Sequence, residues 1–221
     1  MRMTIILRRE IDGLKRMISS LSAYVEENVQ MAATAITERD TALAERVLRR
    51  DVEVDDREIA VEEECLKILA LHQPVANDLR YIVAALKVNN DLERIGDLAV
   101  NMAQVAVWLA DRGNLEIPYD LCGLVAKVRA MLADSLDALM ERDAALAAKV
   151  KAADEEVDDV NRENYAVIRH AIREQPEEIE RLIMMLRVSH YLERIADHAT
   201  NIAEDVVYMV NGEIVRHSRG E

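Results

Sequence analysis

Apolar residues recur every three or four positions along most of the chain, as in Leu92, Ile95, Ala99 and Met102. This spacing places them on one face of an α-helix, and no segment alternates for long enough to favour a β-strand. Helix-breaking residues are few, so the predicted helices are long, some of about thirty residues or roughly 45 Å. Helices of this length are stable mainly because an apolar stripe packs on neighbours. The pattern predicts an all-α fold.

Short segments rich in proline, glycine and polar residues separate the predicted helices. Residues 72–74 and 174–176 each end one helix and start another, with the proline in the first turn of the new helix. Because these connections are short, the helices that they join should be antiparallel neighbours. Only residues 111–118 resemble an interdomain linker, and Asn211 with Gly212 ends the last helix.

Three segments recur in the same order in the two halves of the chain, and the third carries the motif Leu-Glu-Arg-Ile-x-Asp. The recurring pairs are 35–44 with 138–147, 51–56 with 154–159, and 92–103 with 192–203. The first two pairs are shifted by 103 positions and the third by 100. An internal repeat of this kind indicates duplication of one structural unit. We therefore predict two tandem three-helix bundles with six long helices, one spanning residues 1–113 and the other 114–221.

The charge balance excludes several classes of partner. The chain has 28 Lys and Arg residues against 42 Asp and Glu residues, a formal net charge of −14. It has no basic stretch of the kind that binds nucleic acid, and an anionic membrane surface would repel it. Cations or basic protein surfaces are the expected partners. The start of the chain has too short an apolar run for a signal peptide, so we expect a cytoplasmic protein.

Carboxylates four residues apart occur twice in each copy. The pairs are Asp51 with Asp55, Glu93 with Asp97, Asp154 with Asp158, and Glu193 with Asp197. Four residues correspond to about one helical turn, so both side chains of a pair lie on one face. If the second and third helices of a bundle are adjacent, four carboxylates converge and offer oxygen ligands to Fe, Mn, Mg or Zn. Asn101 and Asn201 extend the line by one turn.

A solvated acidic face is the alternative interpretation, with Arg94 and Arg194 as local counter-ions. Glu93 and Asp97 lie opposite the apolar stripe, so a metal site would lie on the outside of the bundle rather than in its core. Against the alternative, a duplicated surface position is free to change, yet the carboxylates are present in both copies. Both interpretations remain open at this point.

Catalytic motifs are absent from the sequence. A ferritin-like di-iron centre requires Glu-x-x-His on helices that face the core, and none of the five histidines has a Glu three residues before it. His198 follows Asp197, but Leu98 replaces it in the first copy, so a satisfied or exposed histidine is the better interpretation. Cys65 and Cys122 form no C-x-x-C pair. We predict a protein that is not an enzyme.

Four segments together resemble the PhoU family of bacterial phosphate-signalling regulators. They are residues 73–87, 91–101, 192–208 and 212–217. The resemblance covers nearly the whole chain and implies two three-helix bundles joined end to end. It also implies surface metal clusters of iron or zinc, with one or more ions each, held by motifs of the form Glu/Asp-x-x-x-Asp. These motifs fall on the eight carboxylates of the four pairs named above.

The resemblance further implies a function. The family represses uptake of phosphate and the phosphate-starvation response, and it connects the ATPase subunit of the phosphate ABC transporter to a sensor histidine kinase. A homodimer is expected. Leu98 departs from the family pattern, in which His often follows the Asp, and Ile179 with Glu180 replaces the Leu79 and Arg80 of the first copy. A metal-free acidic adaptor that binds basic protein surfaces is the alternative function.

Overall fold

The computed structural model describes residues 5–113 and 116–212, and these residues form six α-helices and one short 3-10 helix, with no strand in either range. The α-helices are α1 (Ile5–Glu38), α2 (Thr41–His72), α3 (Asn77–Ala110), α4 (Leu121–Glu141), α5 (Ala144–Glu174) and α6 (Ile179–Asn211). The 3-10 helix, Pro176–Glu178, immediately precedes α6. The predicted all-α fold with six long helices is confirmed.

The first turn of each bundle has the same construction in both copies. Arg39 and Arg142 adopt left-handed backbone with φ of 57° and 56°, which ends the preceding helix. Asp40 and Asp143 follow as N-caps, and each side chain accepts a hydrogen bond from the backbone N–H three residues ahead, at 2.9 and 3.0 Å. A capping carboxylate satisfies an amide that otherwise has no partner in the helix. The repeated Glu-Arg-Asp is therefore the signal for a helix–turn–helix.

The second turn of the first bundle differs in part from the prediction. Helix α2 ends at His72 as expected, and Gln73 closes it in left-handed backbone with φ of 45°. Pro74, however, does not open the next helix, which begins at Asn77. The reason is that Ala76 also has a positive φ, of 50°, so helical backbone resumes only after a longer connection.

The second bundle follows the predicted pattern closely. Helix α5 ends at Glu174, and Pro176 is the first residue of the 3-10 helix that leads into α6. Proline suits this position because the first turn of a helix needs no N–H donor from it. Gly212, with φ of 76°, closes α6 as predicted. The polar tail predicted beyond it lies outside the described residues.

Helices α1 to α3 pack as one three-helix bundle and α4 to α6 as another. The family resemblance implied that the two bundles are joined end to end. They lie side by side instead. Helix α3 packs along α6, and α1 also touches α4. Helices α3 and α6 bury apolar residues toward their own bundle and toward each other, which end-to-end bundles would leave exposed.

Polar contacts between α3 and α6 establish that the two helices are antiparallel. Asp91 Oδ1 lies 2.8 Å from His198 Nδ1, and Lys87 Nζ lies 2.9 Å from Asp205 Oδ1. Asp205 is only 1% exposed, so Lys87 supplies a counter-charge to a buried carboxylate. A buried ion pair contributes little net free energy to folding, because both charges lose their water. Removing only one partner is strongly destabilising, because it leaves the other charge buried and unpaired. The two contacts fix the register of the interface between the bundles.

Removing an N-cap tests the turn between α4 and α5. Replacement of Asp143 by Ala should lower the free energy of unfolding by about 1 kcal/mol, because two amides lose their acceptor. Urea denaturation followed by circular dichroism measures the change. Asp159→Ala is the matched control, since Asp159 is exposed in mid-helix and contacts only Arg162 among the described residues. Equal effects of the two substitutions would contradict the capping role.

Candidate functional site

The predicted carboxylates of the second bundle converge on its outer surface, between α5 and α6. One oxygen from each of Asp158, Glu193 and Asp197 lies within 4.8 Å of the other two. Asp154, one turn before Asp158, belongs to the same group, since the charges of Asp158 and Asp197 both act on it. We call these four residues the second acidic cluster. The structure thus brings together all four residues that the sequence predicted here.

Electrostatics in the second acidic cluster are unfavourable to the ionised forms. Burial, followed by the charges of Asp158 and Asp197, raises the pKa of Asp154. Burial, followed by the charges of Glu193 and Asp158, raises the pKa of Asp197. In addition, Asp154 Oδ1 is buried, and the hydroxyl of Thr200 acts on Asp154 as a hydrogen-bond donor that lowers its pKa. Partly buried carboxylates beside like charges favour a cation between them.

The four predicted carboxylates of the first bundle also meet, between α2 and α3, and we call them the first acidic cluster. Burial and the neighbouring Asp55 and Asp97 raise the pKa of Asp51. Arg94, however, reaches into this cluster: its Nε lies 3.3 Å from Glu93 Oε2 and its Nη1 lies 3.5 Å from Asp97 Oδ2. Arg94 is therefore the local counter-ion that the alternative interpretation predicted.

The two clusters differ in how they are neutralised. Within the described ranges Arg194 makes no ion pair equivalent to that of Arg94, and only Asp158, Glu193 and Asp197 form a group close enough to share one ion. Instead, His190 Nδ1 lies 2.9 Å from Glu193 Oε2, on a side chain that is 58% exposed. The second acidic cluster is consequently the more open to an external cation.

The local sequence explains why the carboxylates face outward. Leu92 and Ile95 are fully buried, which turns Glu93 and Asp97 toward α2 at the surface. Gly96 allows the two helices to approach, because a Cβ at this position would lie 3.1 Å from Val54 Cγ1. Side chains on α2 and α3 can therefore converge across the junction between the helices.

One acidic residue of the first bundle was missed by sequence reasoning. Glu58 lies on α2 seven residues after Asp51, and burial together with the charges of Glu62 and Asp55 raises its pKa. Its backbone carbonyl and Oε1 accept hydrogen bonds from Asn89 at 2.9 and 3.1 Å. The sequence did offer a signal, because Glu58 lies three residues after Asp55 and therefore on the same face of the helix. The second copy has Asn161 at this position, so a search for carboxylates that recur in both copies did not find Glu58.

Two residues considered from the sequence turn toward the bundle interface. His198 pairs with Asp91 on α3, which confirms a satisfied histidine rather than a member of the second acidic cluster. The Asn201 amide nitrogen also donates to Asp91, at 3.5 Å. Asn101 is half-buried on α3. None of the three shows a contact with a cluster carboxylate in the part of the chain that the structure describes.

Chemically, each cluster is a set of hard oxygen donors, and in the second one His190 lies beside Glu193. Metal–oxygen bonds of about 2.0–2.6 Å place coordinating oxygens up to about 4–5 Å apart. The spacing in the second acidic cluster therefore fits a divalent cation after small side-chain adjustments. The first cluster fits one only if Arg94 moves away. No helix among the described residues is long and apolar enough to cross a membrane.

The fold and the site together define a class: a duplicated all-helical protein that presents matched carboxylate clusters on its outer faces. The model of the PhoU domain matches the chain twice, over residues 18–106 and 121–206. The two matches cover both bundles and both acidic clusters. The chain belongs to the PhoU family, as the sequence resemblance predicted.

Similar proteins carry the same family name. The phosphate-specific transport system accessory protein PhoU homologue of Pseudomonas putida is 37% identical over 212 residues, covering 94% of this chain and 82% of the relative. The homologue of Aquifex aeolicus is 35% identical over 96% of each chain. The crystal structure of PhoU from Pseudomonas aeruginosa superposes with a TM-score of 0.89 at 34% identity, over 93% of this chain and 99% of that one.

The raised pKa values of Asp154 and Asp197 predict that the metal-free protein is destabilised by its own clusters. Replacing either residue by Asn should stabilise the chelator-treated protein at pH 7 by about 0.5 kcal/mol, because one repelling charge is removed. A carboxyl whose pKa is raised on folding opposes folding most above that pKa, and its effect vanishes below its unfolded pKa of about 3.9.

The advantage of each Asn variant over the parent should therefore shrink as the pH falls from 7 toward 4. Urea denaturation at a series of pH values measures it, with Asp159→Asn as the control for loss of an exposed charge. A pH-independent advantage, or destabilisation at pH 7, would show that these carboxylates are not mutually repelling.

Proposed function

We propose that this protein is a negative regulator of phosphate uptake and of phosphate-starvation signalling that binds metal on its acidic clusters. In this role it connects the ATPase subunit of a phosphate ABC transporter to a sensor histidine kinase in the cytoplasm, without catalysis of its own. Full-length membership of a family whose relatives are named accessory proteins of phosphate-specific transport supports the regulatory part. Iron or zinc is the proposed metal, with manganese or magnesium as substitutes.

One observation supports the proposal that the acidic clusters bind metal. Asp158, Glu193 and Asp197 hold their oxygens within 4.8 Å of one another on two helices, although each is an anion. Such an arrangement is unfavourable unless positive charge or a proton compensates it. Burial and its acidic neighbours raise the pKa of Asp197 more than His198 and Arg194 lower it. Asp154 adds a fourth, partly buried carboxylate, on which the charges of Asp158 and Asp197 act. A cation bound there would join α5 to α6, as one at the first acidic cluster would join α2 to α3.

Metal analysis of substituted proteins tests this assignment. Asp197→Asn should weaken binding of Zn²⁺ or Fe²⁺ to the second acidic cluster by about tenfold or more, since a direct ligand is lost. Mass spectrometry gives the metal content per chain and calorimetry the affinity, and Asp159→Asn is again the matched control. Asp97→Asn should have a smaller effect, because Arg94 already neutralises part of the first acidic cluster. Unchanged metal content in Asp197→Asn would remove the ligand assignment.

A metal-free acidic adaptor is the second candidate, and Arg94 favours it. Its contacts with Glu93 and Asp97 show that the first acidic cluster finds a counter-ion within the chain. In this view the clusters bind basic protein surfaces directly.

Removal of metal discriminates between the two candidates. For the metal-binding regulator, EDTA treatment should reduce co-purification of the transporter ATPase subunit or change the dimer content, and added Zn²⁺ should restore both. For the adaptor, EDTA should change neither, whereas raised salt should weaken the complex. Co-purification and sedimentation velocity on the same samples provide the measurements. If neither EDTA nor raised salt changed the complex, both candidate functions would be contradicted.

A further inference from the structure

One part of the junction of α1 and α2 carries a group of arginines, although the chain as a whole is strongly acidic. Four arginines line it against two glutamates, and we call these six residues the basic seam: Arg16, Arg46, Arg50 and Arg57 with Glu27 and Glu53. Arg50 lies 2.6 Å and Arg46 3.6 Å from Glu27, which ties these two arginines to one carboxylate. Tyr24 donates a hydrogen bond to Glu53. Both acids are therefore already engaged. Toward the other end of this junction Glu10 and Glu64 pair with Lys67.

Two arginines of the seam keep donors for an external group. Arg16 is exposed and makes no ion pair within the described ranges. Arg57 donates from Nη1 to Ser20 Oγ at 2.6 Å and stacks 4.6 Å from the centre of the Tyr24 ring, which orients its guanidinium. A guanidinium has five N–H donors, so one hydrogen bond leaves most of them available.

Between these two arginines lies a groove of about 430 Å³. Its lining is mostly apolar, and consists of Gly13, Met17, Ala60 and Val61 with Ser20 and the two arginines. A shallow apolar groove between two helices, edged by one sign of charge, has the form of a site for an amphipathic helix. The groove lies on α1 and α2, away from the bundle interface that α3 and α6 form.

Gly13 supplies an independent observation. It lies in the interior of α1, where glycine destabilises a helix relative to alanine. A Cβ at this position would have only ordinary contact, 3.8 Å from Arg16 Nη2. The packing of this chain therefore does not require glycine there. Because Gly13 has no side chain, the floor of the groove is open to a side chain of another molecule.

The second copy lacks two of these arginines and has Lys149 in place of Arg46. At the shift of 103 positions, Ala153 and Val160 stand where the first copy has Arg50 and Arg57. In that copy the outer junction of α4 and α5 instead pairs Lys127 with Glu156 at 2.6 Å. Duplicated bundles of the same fold can do without the seam, so its arginines are not needed to hold such a bundle together.

We infer that the groove of the basic seam binds an acidic amphipathic helix of a partner protein. An apolar side chain of that helix occupies the space beside Gly13 and Ala60, and flanking carboxylates pair with Arg16 and Arg57. Charge complementarity selects this occupant. A flat anionic membrane cannot enter a concave groove. The inference is independent of metal at the acidic clusters.

A synthetic helix provides the probe. It is a fluorescein-labelled peptide of about sixteen residues with leucines at i, i+3, i+4 and i+7 and glutamates beside them. A peptide with lysine in place of each glutamate is its counterpart. Fluorescence anisotropy should show that the glutamate peptide binds the full-length protein and that the lysine peptide binds at least about tenfold more weakly.

Four variants locate the binding. The double variant Arg16→Glu with Arg57→Glu should weaken the glutamate peptide by about tenfold or more. Ala60→Trp should fill the groove and abolish binding with the charge unchanged. Gly13→Ala should raise the melting temperature yet weaken the peptide. The double variant Arg162→Glu with Arg169→Glu, on the exposed face of α5, is the matched control for charge and should bind as the parent does. Circular dichroism verifies folding of each variant.

Several results would overturn the inference. Equal binding of the two peptides would remove the charge selection. Undiminished binding by Ala60→Trp would indicate attraction to the surface at large rather than occupation of the groove. A change in sedimentation of Ala60→Trp without peptide would identify a second copy as the occupant. Binding of the parent, but not the double variant, to phosphatidylserine vesicles would identify a membrane surface instead.

Discussion

The antiparallel packing of α3 on α6 is the constraint on which the rest of the structure depends. Each helix must bury one face in its own bundle and another against its partner, and the Asp91–His198 and Lys87–Asp205 contacts fix the register of that packing. The face that remains points toward α2 or α5 at the surface, and it carries Glu93 and Asp97 or their counterparts. Both acidic clusters are outward-facing for this reason, and neither can be part of a core di-iron centre.

Duplication produced two clusters with the same backbone plan and different electrostatics. The first is partly neutralised by Arg94, whereas the second holds oxygens of three carboxylates within 4.8 Å of one another. The outward-facing helix junctions also differ. The α1–α2 junction of the first bundle has Arg50 and Arg57, whereas the second bundle has Ala153 and Val160 at the equivalent positions. The two bundles therefore present different surfaces. A protein with two unlike faces can contact two unlike partners at once.

Periodicity and the internal repeat predicted the all-α fold, the six helices and the eight cluster carboxylates, because these depend on spacing within single helices. They could not predict that the bundles lie side by side, which depends on contacts between α3 and α6 more than a hundred residues apart. The sequence offered Arg94 and Arg194 alike as local counter-ions and could not predict that, among the described residues, only Arg94 forms an ion pair with its cluster, because the two arginines occupy equivalent positions. Glu58 was missed for a related reason, as its counterpart is Asn161.

The central claim is that the acidic clusters hold metal ions on the outer faces of the bundles. Anomalous-scattering maps from crystals of protein purified without chelator, recorded on both sides of the iron and zinc absorption edges, test position and element together. The account predicts a peak among Asp154, Asp158, Glu193 and Asp197, and a weaker or absent peak at the first cluster, where Arg94 competes. Maps without a peak at either cluster, in crystals grown with added metal, would contradict it.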